Sequence, residues 1–268
     1  MDQHQAPSHL ERKIAYIFFI FISGWWLYLF FNHITNSTPA YLFAATYGIM
    51  ALLGGIWGLE ISRKWGGTKS VMGKAITSMA FGLLAAEFGQ IVFSFYNIFQ
   101  NNQVPYPSLA DIGFFANIPL YSIGILYLAR ASGVRFTAQK LSHKIQIVLL
   151  PIAMLYLSYY MFLQKYEFDW GQPLKIFLDF GYPFGQAIYV SLALLTYSLS
   201  KRVLGVIIKK IILFILFAFL MQYVADYNFL FQSSRGTWAN GGYGDFLYFL
   251  AYFLMTLGLL NLQNIQQS

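Results

Sequence analysis

Eight apolar blocks, each near the length a helix needs to cross a bilayer, dominate this sequence and leave it few possible folds. They run over 13–34, 40–62, 74–100, 108–130, 144–164, 174–200, 207–232 and 243–262. About 20 helical residues cover the roughly 30 Å of hydrocarbon in a membrane. Lipid offers no hydrogen bonds to an open backbone, so repeated blocks of this length predict helices. The separators are turn-formers: Asn36-Ser37-Thr38-Pro39, Gly66-Gly67, Pro105-Tyr106-Pro107, Gly171-Gln172-Pro173 and Asn240-Gly241-Gly242. The expected fold is all-α, a polytopic transmembrane bundle of about eight helices over 13–262, with short tails at 1–12 and 263–268.

Composition agrees. Only 10% of the 268 residues are charged and 58% are hydrophobic, whereas a soluble chain is about a quarter charged. There is no cysteine, which excludes disulfides and thiolate chemistry. The net charge of +7 would raise nucleic acid as a partner in a soluble protein. Here the positions of the charges explain it through topology instead.

Arg12 and Lys13 precede the first block, and Arg63, Lys64, Lys69 and Lys74 lie between the second and third. Arg130, Arg135, Lys140 and Lys144 follow the fourth; Lys201, Arg202, Lys209 and Lys210 follow the sixth. These are fourteen of the seventeen basic residues, and only Lys165, Lys175 and Arg235 fall on the other side. Such asymmetry over short loops marks the cytoplasmic face. The expectation is a multi-pass membrane protein with both termini cytoplasmic. Its basic loops meet anionic lipid, and nucleic acid is not a partner. Block 1, with Trp25-Trp26, reads as an uncleaved anchor rather than a signal peptide. Asn36-Ser37-Thr38 matches a glycosylation sequon.

The segments beginning at Asp111 and Asp245 align without gaps at an offset of 134 residues, half the chain. Asp111/Asp245, Phe115/Phe249, Leu120/Leu254 and Gly124/Gly258 coincide. This suggests a four-plus-four parallel repeat, 13–130 and 144–262.

Ionisable groups at membrane depth cost roughly 2.5–3.5 kcal/mol and need a reason. Five acids fall in the half of the helices away from the basic loops: Glu87, Asp111, Asp179, Asp226 and Asp245. Asp111, in Ser108-Leu-Ala-Asp111, and Asp245 lie in first helical turns, where a carboxylate caps the helix, and capping does not forbid ligand contact. The deeper three keep amides on one helical face: Gln90 and Asn97 after Glu87, Gln222 before Asp226, Gln186 after Asp179. These faces must turn inward, either as interhelical hydrogen-bond glue or as a ligand, cation or proton site. Pro183 follows Asp179 by one turn, and Pro119 is expected to break the fourth helix.

The four histidines, His4, His9, His33 and His143, lie in the tail or at helix ends, so no metal site or haem is expected. Nucleotide-binding loops, G-x-S-x-G and H-E-x-x-H are absent, no cofactor is specified, and the chain reads as a non-enzyme. The many aromatics are assigned mainly to lipid contact and interfacial anchoring.

Pro105-Tyr-Pro-Ser-Leu-Ala-Asp111, Glu87-Phe-Gly-Gln90 and Asp179-Phe-Gly-Tyr-Pro-Phe-Gly-Gln186 together resemble the multi-helix membrane sensor region found ahead of bacterial diguanylate cyclase and histidine kinase domains. The resemblance spans roughly 74–262 and implies an input module of a bacterial or archaeal cell's inner membrane. This sequence ends at Leu262-Gln-Asn-Ile-Gln-Gln-Ser268, where such a protein continues into an output domain. It either signals through a partner, is a fragment, or has another role. The expected function is sensing of a small ligand, cation or proton in a polar pocket of Glu87, Gln90, Asp111, Asp179, Gln186, Gln222, Asp226 and Asp245. The alternative is a small cation- or proton-coupled transporter using the same carboxylates. A cytoplasmic signalling protein and a second copy of the chain are the candidate partners.

Overall fold

The computed structural model describes residues 8–100, 105–133, 141–164, 166–200 and 206–265. Residues 1–7 and 266–268 of the tails, with Arg135, Lys140, Lys165, Lys201 and Arg202 of the topology argument, lie outside the described residues. Among the described residues the regular structure is helical: α1 (Ser8–Phe31), α2 (Thr38–Tyr47), α3 (Ile49–Lys64), α4 (Val71–Phe99), α5 (Ala110–Ala131), α6 (Leu141–Ser158), α7 (Pro173–Ser200), α8 (Val206–Ser234) and α9 (Tyr243–Ile265). α2 and α3 stack through Gly48 as one interrupted span, Thr38–Lys64. The described chain thus forms the expected all-α bundle of eight helices, seven of them long and apolar enough to cross a membrane. The eighth, α7, is long enough but is diluted by Asp179, Pro183, Gln186 and two glycines.

Local chemistry sets the helix ends. Ser70 caps α4, its Oγ accepting from the Gly73 N–H at 2.9 Å. The preceding turn uses Gly66 and Gly67 at φ +86° and +55°, backbone angles that side chains disfavour. Pro119 does not break its helix: α5 runs unbroken from Ala110 to Ala131. Neighbouring helices support such a residue in a membrane bundle where isolated propensity would not.

α9 lies at the centre, touching α1, α3 and α8; α4 packs between α3 and α5, and α7 bridges α5, α6 and α8. α6 is the least enclosed helix and presents Val148, Leu149 and Ile152 outward, as lipid contact requires. Arg12 of α1 donates to Asn261 Oδ1 of α9 at 2.7 Å, and Trp65 Nε1 to Leu262 O at 3.3 Å. The first and last helices therefore reach the same end of the bundle, the end that carries Arg63, Lys64, Lys69 and Lys74. At the opposite end the sequon residue Asn36 is structural: its Oδ1 accepts from the Asn240 N–H at 2.9 Å.

Candidate functional site

The eight expected site residues divide into a core and a rim. In the core, Gly48 interrupts the second span, and its N–H turns toward Thr46 O. An uninterrupted helix would give that amide to Ala44 O. Gln90 Nε2 of α4 takes the vacated place, donating to Ala44 O at 2.9 Å. The Tyr47 hydroxyl lies 3.2 Å from Gln90 Oε1 and 3.3 Å from Asp245 Oδ1. Asp245 Oδ2 accepts the Gly241 N–H at 2.7 Å, so this carboxylate caps α9 and joins the core at once. Beyond the interruption, Thr256 Oγ1 donates to Met50 O at 3.3 Å. Side chains from α4 and α9 thus stitch the interrupted helix on both sides.

Glu87 lies one turn before Gln90, 5% exposed, against the interruption. A Cβ on Gly48 would stand 2.2 Å from Glu87 Oε2, so the carboxyl as placed lies directly against the glycine. No donor among the described residues reaches that oxygen. Asp245 is 1% exposed, and no Lys, Arg or His is buried among the described residues. Two carboxyl groups therefore share the core with no basic counter-charge.

Asp226 of α8 forms the adjoining group. Gln222 Nε2 donates to its Oδ1 at 3.0 Å, as the i, i+4 spacing anticipates, and Tyr189 OH of α7 lies 3.3 Å from Oδ2. Tyr248 of α9 also hydrogen-bonds it. Tyr248, Tyr252 and Tyr47 then form a ladder of rings, each 6.2 Å from the next, back to the Gln90–Asp245 group. Gln186 is buried in α7 with Oε1 unpartnered.

The rim holds Asp111 and Asp179. Asp111 Oδ2 accepts the Ser108 N–H at 2.7 Å, the capping contact that Ser108-Leu-Ala-Asp111 foreshadows, and Oδ1 accepts from Tyr182 OH at 2.8 Å. Asp179 accepts from Tyr106 and Tyr166 at 2.8 and 2.7 Å, fastening the α4–α5 and α6–α7 connections to α7. Loss of water contact and the Asp179 carboxylate push the Tyr166 hydroxyl up to about 12, so it remains a donor at ordinary pH. An open cleft of about 340 Å³ lies beside Asp179, lined also by Tyr166, Asp169 and Lys175. Asp179→Ala is expected to free both connections and raise the rate of proteolytic cleavage in 105–109 several-fold without unfolding the bundle. Unchanged cleavage would show that the two tyrosine contacts do not hold these connections.

Comparison of the chain with protein-family models, curated proteins and solved structures finds no match. The site's chemistry therefore rests on its own residues. Among the described residues no group of three His, Cys, Asp or Glu could hold a metal ion. Instead the core offers carboxyls joined through tyrosine hydroxyls and amides, a set suited to exchanging protons or hydrogen-bonding a small polar ligand. Tyr47, Tyr189, Tyr248 and Tyr252 are the members that sequence reasoning missed, because tyrosine in an apolar block reads equally well as an interfacial anchor.

Proposed function

We propose that the protein is a membrane sensor whose input element is the core of Glu87, Gln90, Asp226 and Asp245. The observation that carries this reading is a buried carboxyl–tyrosine network without a basic counter-charge, at the point where one span is interrupted. A group binding there would alter the contacts that stitch α2 and α3 to α4 and α9. That would move the helix ends at the basic face, whose excess of Lys and Arg supports a cytoplasmic orientation. The resemblance to membrane sensor regions supports the same reading, with a cytoplasmic signalling protein as the receiver.

A second reading, a proton- or cation-coupled transporter, draws on a separate observation. Asp111 and Asp245, 134 residues apart, each accept a backbone N–H on one oxygen and a tyrosine hydroxyl on the other. The tyrosines, Tyr182 and Tyr47, come from the opposite half of the chain in each case. Paired, equivalent contacts between halves are what a parallel-repeat carrier rocks upon.

Proteoliposomes under an imposed pH or sodium gradient separate the two. Sensing predicts a conformational response at the basic end, abolished in Glu87→Gln and Asp226→Asn, with no net flux. Gradient-driven flux lost in the same variants selects transport. A response and a stability unchanged by both substitutions would reject the core as the input element.

A further inference from the structure

We propose that Glu87 is a proton-binding site whose occupancy sets the geometry of the interrupted second span. This deepens the sensing reading above and rests on it for the consequence, though not for the site. Glu87 Oε2 is buried against Gly48 with no donor, while Gln90 is engaged with Ala44 O and Tyr47, and Asp245 with Gly241 and Tyr47. A carboxylate left in that place would be a desolvated charge without partner, and a protonated carboxyl removes the charge without any further atom. The titratable groups that face it are Tyr47 from α2 and Tyr252 from α9, and Asp245 of α9 shares the Tyr47 hydroxyl. None of these is basic, so none supplies a counter-charge to a carboxylate here.

The place of the group gives the proton its leverage. A Cβ on Gly48 would meet Glu87 Oε2, so helix and carboxyl are in direct contact where the span loses its regular hydrogen bonding. Loss of the proton would draw water or a donor toward Oε2. Donors beside it are the Tyr47 hydroxyl, which faces Glu87, and the amide of Gln90 one turn on; they hold α2 to α9 and to α4. Recruiting either releases the stitching that sets the angle between α2 and α3.

The test uses the full chain in lipid nanodiscs. Its four glutamates are Glu11, Glu60, Glu87 and Glu167, and of these only Glu87 is buried. Infrared difference spectra across a pH titration are expected to show a protonated-carboxyl C=O band that shifts when the wild-type chain is grown with ¹³C-carboxyl glutamate. The same band should be missing from Glu87→Gln. The isotope arm assigns the band even if that variant fails to fold. Because the chain has no cysteine, spin labels at Lys13→Cys and Thr68→Cys report the basic end without background. Their separation should follow the band in wild type and be pH-independent in Glu87→Gln. A band that moves with the isotope while the label distance stays constant keeps the proton site and overturns the sensing reading. No isotope-sensitive band, with a distance that responds to sodium at constant pH, overturns the proton site and keeps sensing through a cation.

Discussion

Gly113→Ala is expected to destabilise the bundle by about 3 kcal/mol, near the upper end for overpacking a close contact. Its Cβ would stand 2.4 Å from Ala85 O, 2.5 Å from Gly89 N and 2.9 Å from Gly89 Cα. These are backbone atoms, which cannot rotate aside, so α4 and α5 must separate at their crossing. Small residues at helix crossings let backbones approach where lipid supplies no hydrophobic drive to association. Gly24→Ala is the matched control. A Cβ there meets nothing within 4 Å, and alanine's helix propensity should leave stability unchanged or raised by up to about 1 kcal/mol. Unfolding in mixed micelles measures both. Equal effects would mean that the α4–α5 crossing is looser than its geometry.

The second large effect belongs to Asp245. Asp245→Ala strands the Gly241 N–H and leaves the Tyr47 hydroxyl only Gln90 Oε1 as acceptor, in a core where Asp245 is 1% exposed. At roughly 1–3 kcal/mol for each buried group left unsatisfied, a loss of about 3 kcal/mol is expected. Asp245→Asn keeps an acceptor and should lose less. The counterpart Asp111 makes the same pair of contacts at the half-exposed rim, where water replaces a missing acceptor, so Asp111→Ala should cost only about 1 kcal/mol. The comparison separates burial from contact type, since the contacts match. Equal losses at the two positions would remove burial as the source of the difference.

Parts of the site could be read without coordinates because they are local. Gln222 and Asp226 meet across one helical turn, and Asp111 caps α5 from a first-turn position; both follow from helical geometry. The division of the acidic residues into a core and a rim could not be read. Helical spacing says that Glu87 and Asp179 face inward, but not that Glu87 meets an interrupted helix while Asp179 ties down two connections. The interruption itself falls at one glycine among several in the first spans, and its role is visible only once Gln90 is seen filling the place of the missing amide. The tyrosines escaped for a related reason. A residue with an apolar ring and a polar tip suits a membrane interface as well as a buried ladder, and composition does not separate the two.

What the sequence by itself determined is the membrane bundle: the number of helices, their approximate ends, and the gathering of basic residues in alternate connections. These follow from bilayer thickness, backbone hydrogen bonding and charge placement, each of which acts within about 20 residues of chain. The tertiary structure alone decided which carboxyl groups have partners. Tyr47 and Asp245 meet across 198 residues of sequence, Asp111 and Tyr182 across 71, and Glu87 is left with a bare oxygen against Gly48. Satisfaction of a buried polar group is a property of helices crossing in space, and periodicity along one helix carries no record of the neighbour it will meet.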